Sequence, residues 1–205
     1  MSLKTQKCIA IVLFVLALVD TFSEVTQGKA YNLFWFCNIS LYFVAFGLYF
    51  RKPIVFTAAF LGAVTGQIPW FLDFFSQLVL HYPLFGVTSY MFEYGFHNPR
   101  FYVELNHFLT LPMSIYGMKR MGIHRMGWIL ASLCAIILNA GAYFFAPVSD
   151  NVNCVHALCI YPSVALPYNP AMYFIVWTAF LSLVFLIENL ILDRRILSGK
   201  SSAKP

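Results

Sequence analysis

Charge is what this sequence has least of: Asp, Glu, Lys and Arg make up 10% of its 205 residues, against 60% hydrophobic. So little polar surface cannot cover a water-soluble globule, so the surrounding solvent is lipid. No internal repeat is present, which removes a common sign of secondary transporters. His-Glu-x-x-His and Cys-x-x-Cys are both missing, and with them two familiar zinc and redox patterns. No pattern in the chain names a cofactor. The sequence also has no polar stretch long enough for a soluble domain, because helices of about 20 residues, each able to cross a bilayer, use up most of its length. The net charge is +5, but the basic residues stand in small groups at the ends of apolar segments. They do not follow one face, so they read as topology signals and not as a nucleic-acid surface.

What is present is a series of six apolar stretches, at 8–25, 32–50, 54–78, 101–118, 126–147 and 170–191. They predict an all-α, polytopic bundle of about six transmembrane helices forming a single domain over 1–205. Lys4, Lys7, Arg51, Lys52, Lys119, Arg120, Arg125, Arg194, Arg195, Lys200 and Lys204 then fall on one side, and only Lys29 and Arg100 on the other. By the positive-inside rule both ends are cytoplasmic. The first stretch could be a signal peptide, but Asp20-Thr21-Phe22-Ser23 offers no clear small-residue cleavage site, which favours a retained helix. Residues 81–100 and 148–169 become the long outer loops, the former an interfacial or re-entrant segment. Cys154 and Cys159, in the latter, are positioned for a disulfide in an oxidising compartment. Pro69 in the third stretch predicts tilt or a kink.

Ionisable groups inside a membrane are costly and call for a functional hypothesis. On this topology, helix 1 carries Asp20 and Glu24 near its outer end, one turn apart. Cys37 and Asn38 lie about two turns into helix 2, Asp73 near the outer end of helix 3 beside Trp70, and Glu104 and His107 one turn apart on helix 4. Four helices thus bring polar groups to one level in the outer half of the membrane. Asp20 and Glu24 there also fit carboxylates that reach the interface. A thiol, an imidazole and a carboxylate are the parts of an activated nucleophile, here Cys37, His107 and Asp73, with Asn38, Trp70 and Glu104 as substrate-binding candidates. A metal reading uses His81, His97, His107 and Asp73, with Glu93, Glu104 and His156 in reserve. Tyr31, Trp35, Tyr90, Tyr102 and Tyr168 fit an aromatic belt. Glu188 is placed to pair with Arg194 or Arg195 or to snorkel to water, and Asn139 to bond across helices, with Ala140 and Gly141 beside it suited to close packing.

Trp35-Phe36-Cys37-Asn38-Ile39, Pro69-Trp70-Phe71-Leu72-Asp73-Phe74, His107-Phe108-Leu109-Thr110-Leu111-Pro112 and Asn151-Val152-Asn153 together resemble a family of small bacterial integral membrane proteins of unassigned function. That resemblance implies the six-helix architecture and a bacterial cytoplasmic membrane. Cys37 and His107 are also similar to the working pair of membrane acyltransferases that remodel ether phospholipids. This second likeness implies acyl transfer or hydrolysis on a membrane lipid. The rival readings are a small-molecule or ion transporter or ligand-binding protein, and a structural subunit, as a homo-oligomer or within a membrane complex.

Overall fold

The computed structural model describes residues 2–159 and 169–199, without the side chains of Tyr94, Pro99, Arg100 and residues 194–199. It is an all-α bundle. The helices are α1 (Leu3–Thr26), α2 (Phe36–Phe50), α3 (Pro53–Leu80), α4 (Ser89–Tyr94), α5 (Pro99–Glu104), α6 (His107–Met121), α7 (Gly127–Phe145) and α8 (Pro170–Gly199). Short 3₁₀ turns cover Ala30–Phe34, Val148–Asp150 and Val152–Cys154. Helices α1, α3, α7 and the Pro170–Asp193 part of α8 are long and apolar enough to cross a membrane, and α2 is apolar but shorter, at 15 residues. Large apolar side chains such as Val79, Ile137 and Phe144 are exposed, while Ser40, Thr57, Asp73, Ser114 and Asn139 are buried. Apolar groups outside and polar groups inside is the arrangement that lipid solvent selects.

Local chemistry sets the breaks between helices. Ser2 caps α1, its hydroxyl accepting from Thr5 N at 3.1 Å. Arg51 turns left-handed at φ 55° after α2, and Pro53 opens α3 in its first turn, where the missing N–H costs nothing. At 28 residues α3 is about 42 Å long, well beyond a hydrocarbon core of about 30 Å, so it protrudes or tilts. It runs unbroken through Pro69.

Aromatic rings seated on glycines join the long helices. Phe36 lies against Gly62, Phe56 against both Gly47 and Gly117, and Phe34 against Gly141. At Gly62, Gly117 and Gly141 a Cβ would collide with the ring, and at Gly47 it would be a tight fit. Asn139 Nδ2 donates to Thr178 Oγ1 at 3.1 Å, a polar tie from α7 to α8.

Two expected helices are interrupted where the candidate residues lie. The stretch 32–50 begins as a 3₁₀ turn, becomes extended at Trp35 (φ -61°, ψ 129°) and restarts at Phe36, so Cys37 is in the first turn of α2 and not two turns along it. The stretch 101–118 is likewise two helices. Asn106 N and Leu105 N bond back three residues, to Val103 O and Tyr102 O, and His107 opens a new helix. Segment 81–100 carries α4 and the start of α5 rather than plain loop. Tyr168 and the Arg194 and Arg195 side chains, the latter the expected partners of Glu188, lie outside the described residues; Glu188 accepts from Thr65 Oγ1 at 3.4 Å.

Candidate active site

Glu104 is the hub of a buried polar chamber assembled from short elements. It closes α5, and its side chain is 5% exposed. Tyr90 of α4 donates its hydroxyl to Glu104 Oε2 at 2.9 Å. Burial, and then the neighbouring Glu104 charge, push the Tyr90 hydroxyl well above its ordinary range, so it remains a donor. His107, 3% exposed, places Nδ1 2.8 Å from Glu104 O and 3.8 Å from Glu104 Oε2. A carbonyl oxygen only accepts, so Nδ1 carries the proton and the lone pair of the neutral ring is on Nε2.

From α1, Asp20 and Glu24 enter the same chamber, 4% and 2% exposed. One carboxylate oxygen from each of Asp20, Glu24 and Glu104 lies within 4.8 Å of the others. Asn32 Nδ2 donates to Glu24 Oε2 at 2.7 Å, and none of the three carboxylates stands without a partner. Donor networks of this kind are how charged groups tolerate burial. Asn38 Nδ2 donates to Asn32 O at 2.9 Å, linking α2 to the turn that supports Glu24. Cys37 sits beside Asn38 with its thiol directed to Asn38 Oδ1 at 3.7 Å, and its charged neighbours are Glu104 and Asp20. No hydrogen bond joins the thiol to the imidazole among the described residues.

An aromatic clamp holds the imidazole. The Trp70 indole lies parallel to His107 at 4.7 Å between centroids and 6° between planes, with Phe74 stacked on Trp70 at 5.2 Å and 5°. Beside the α5–α6 break, a groove of about 370 Å³ is lined by Leu16, Val19, Tyr102, Val103, Leu105, Asn106 and Leu109. Leu16 is one turn before Asp20 on α1, and Asn106 directly precedes His107, so the groove borders the chamber.

Asp73 is not in this chamber, contrary to its expected role as the acid beside His107. Its carboxylate accepts from Phe85 N (2.7 Å), Gly86 N (3.0 Å), Thr88 N (2.7 Å) and Thr88 Oγ1 (2.6 Å). These bonds occupy both oxygens and fold the segment after α3 back over the helix end. Ser76 Oγ to Tyr82 O (2.7 Å) and Gln77 Nε2 to Ser89 Oγ (2.7 Å) complete the attachment. Asp73 thus holds the segment that carries Tyr90 and leads to Glu104.

The expected metal set does not assemble either. His81 and His97 are exposed on the far segment, Glu93 is exposed, and Asp73 is committed to Thr88. His156 stacks on Tyr143 at 5.1 Å, where burial pulls its pKa down. Among the described residues, Asp20, Glu24 and Glu104 are the group with metal-compatible spacing. Cys154 and Cys159 form a disulfide with Cα atoms 5.4 Å apart. Their turn docks on the bundle through Asn153, which accepts from Phe36 N at 3.2 Å, donates to Phe34 O at 2.7 Å and takes the Trp177 indole N–H on its own carbonyl at 2.8 Å.

By sequence Tyr90 fits an aromatic belt and Asn32 has no role. Neither residue carries a local signal of its place in the chamber, because both reach it only through the short segments that pack over the helix ends. No protein-family profile, curated protein or solved structure matches this chain.

Proposed function

We propose that the protein is a six-span enzyme of the bacterial cytoplasmic membrane, both ends cytoplasmic, that transfers or hydrolyses an acyl group on a membrane lipid. Cys37 is the nucleophile and His107 the general base, with Glu104 as the group that orients His107 in place of Asp73. The observation that carries this reading is the His107 environment. The ring is buried, its Nδ1–H is tied to Glu104 O at 2.8 Å, the Glu104 carboxylate is 3.8 Å away, and Cys37 borders the same chamber. Such a ring has its basic nitrogen free and a carboxylate near enough to stabilise the imidazolium that forms. Resting sites often hold nucleophile and base apart until substrate binds.

The chemistry balances within these residues. His107 Nε2 removes the thiol proton, the sulfur attacks the ester carbonyl carbon, and the carbonyl electron pair moves to oxygen. Collapse expels the alkoxide, which takes the proton from His107 and leaves a thioester on Cys37. A second hydroxyl compound or water, deprotonated by His107, attacks the thioester and restores the thiol. The groove is of a volume seen in small-ligand sites, roughly 300–1,000 Å³, and offers the acyl chain an apolar wall.

The test is turnover of 4-nitrophenyl palmitate by the purified full chain in detergent. Wild type is expected to release nitrophenolate, with activity abolished in Cys37→Ala and lowered at least a hundredfold in His107→Gln, while both variants purify folded. Wild-type-like turnover in Cys37→Ala, or none by wild type, contradicts the reading.

A further inference from the structure

Two polar side chains on one face of α3 are buried without a hydrogen bond of good geometry. The carboxamide of Gln67 is fully buried, and neither its nitrogen nor its oxygen has a hydrogen-bond partner. Three residues on, Trp70 is 6% exposed and its indole nitrogen is likewise unpartnered. That nitrogen faces the Tyr90 hydroxyl without reaching hydrogen-bond geometry. Burying such groups unbonded forfeits their hydration with no return, so folded proteins rarely keep them without a use. Spacing of three residues brings the two side chains to one face of the helix, roughly 5–6 Å apart at Cβ.

The indole is held against the general base, and the Gln67 amide lies one turn away on the same face. The indole is sandwiched between Phe74 and His107, which fixes the direction of its N–H. Phe36 packs on Gly62, five residues or about 7.5 Å of helix rise before Gln67, and Tyr90, which the indole faces, has Cys37 among its electrostatic neighbours. Donors fixed in advance, out of water and next to nucleophile and base are what acyl transfer needs where the carbonyl oxygen becomes negative.

We infer that the Trp70 indole N–H and the Gln67 amide N–H form the oxyanion hole for the tetrahedral intermediate on Cys37. This rests on the acyl-transfer reading above. When the sulfur adds to the ester carbonyl, the new oxyanion accepts from both N–H groups. When the intermediate collapses, the electron pair returns to carbon and the alkoxide departs with the proton from His107. The donors exchange no proton, so their effect is on rate and not on which bonds change.

The experiment compares Gln67→Leu and Trp70→Phe with wild type, using three readouts. In 4-nitrophenyl palmitate hydrolysis, each variant is expected to lose about 10²–10³ in kcat with KM changed less than threefold. Iodoacetamide alkylation of Cys37, which forms no oxyanion, should proceed at the wild-type rate. Melting temperature should hold or rise in Gln67→Leu, where an unbonded amide gives way to a hydrocarbon of similar size. Tyr90→Phe serves as a further variant: if the indole served only to support Tyr90, this change would reproduce the Trp70→Phe loss. Wild-type kcat in both α3 variants, or a parallel fall in alkylation rate, overturns the oxyanion hole while Cys37→Ala stays inactive. An active Cys37→Ala overturns the acyl-transfer reading itself.

Discussion

Asp73 and Glu104 are both buried carboxylates near helix ends, yet replacing them has different consequences. Asp73 accepts three backbone N–H groups and one hydroxyl from residues 85–88. Asp73→Ala strands those donors, and about 1–3 kcal/mol for each that stays buried and unbonded sums to a large loss. A drop in melting temperature, with protease cleavage appearing between residues 81 and 98, is the expected result; an unchanged melt contradicts the anchoring role of Asp73. Glu104→Gln keeps an acceptor for Tyr90 but removes the charge beside His107. Its melting temperature should change less than that of Asp73→Ala, while kcat falls at least tenfold. The sequence made Cys37, His107, Glu104 and Trp70 legible as site candidates, because costly groups in apolar helices are rare enough to stand out. It did not show which carboxylate serves the histidine. That choice depends on how residues 82–98 fold over the end of α3, and no periodicity encodes that path.

At the scale of elements, the helices themselves were readable and their interruptions were not. Apolar length alone located α1, α3, α7 and α8. The restart of α2 at Phe36 and the break before His107 place Cys37 and His107 at helix beginnings. Neither break has a proline or glycine at its centre; the first is met by a long-range bond from Phe36 N to Asn153 Oδ1, the second by the local bond from the His107 ring to Glu104 O. The Phe36 seat on Gly62 fixes α2 against α3. In Gly62→Ala the methyl would overlap the Phe36 ring, and overpacking of this kind costs typically about 1–3 kcal/mol. A lower melting temperature, recovered in part by the double variant Gly62→Ala with Phe36→Leu, is expected. Equal stability of all three proteins would show that the ring has room to move.

For the whole molecule, polar groups turned inward, apolar side chains turned outward and a groove beside the chamber are the features that the proposed reading joins, with substrate entering from the bilayer. If the proposed six-span arrangement with both ends cytoplasmic holds, chamber, groove and disulfide face the outer side, where the Cys154–Cys159 pair would meet an oxidising compartment. Single cysteines introduced at Lys29 and at Arg125 test this with a membrane-impermeant maleimide on intact cells. Labelling at the first and protection at the second is expected, and the reverse pattern contradicts it. The most direct measurement of acyl transfer through Cys37 is mass spectrometry of the full chain quenched during turnover of 4-nitrophenyl palmitate. The expected result is a palmitoyl group, removable by hydroxylamine, on the peptide that carries Cys37, absent from Cys8 and Cys134 and absent in His107→Gln. Turnover that continues with Cys37 unacylated, or acylation spread equally over the three free cysteines, would contradict a Cys37 nucleophile.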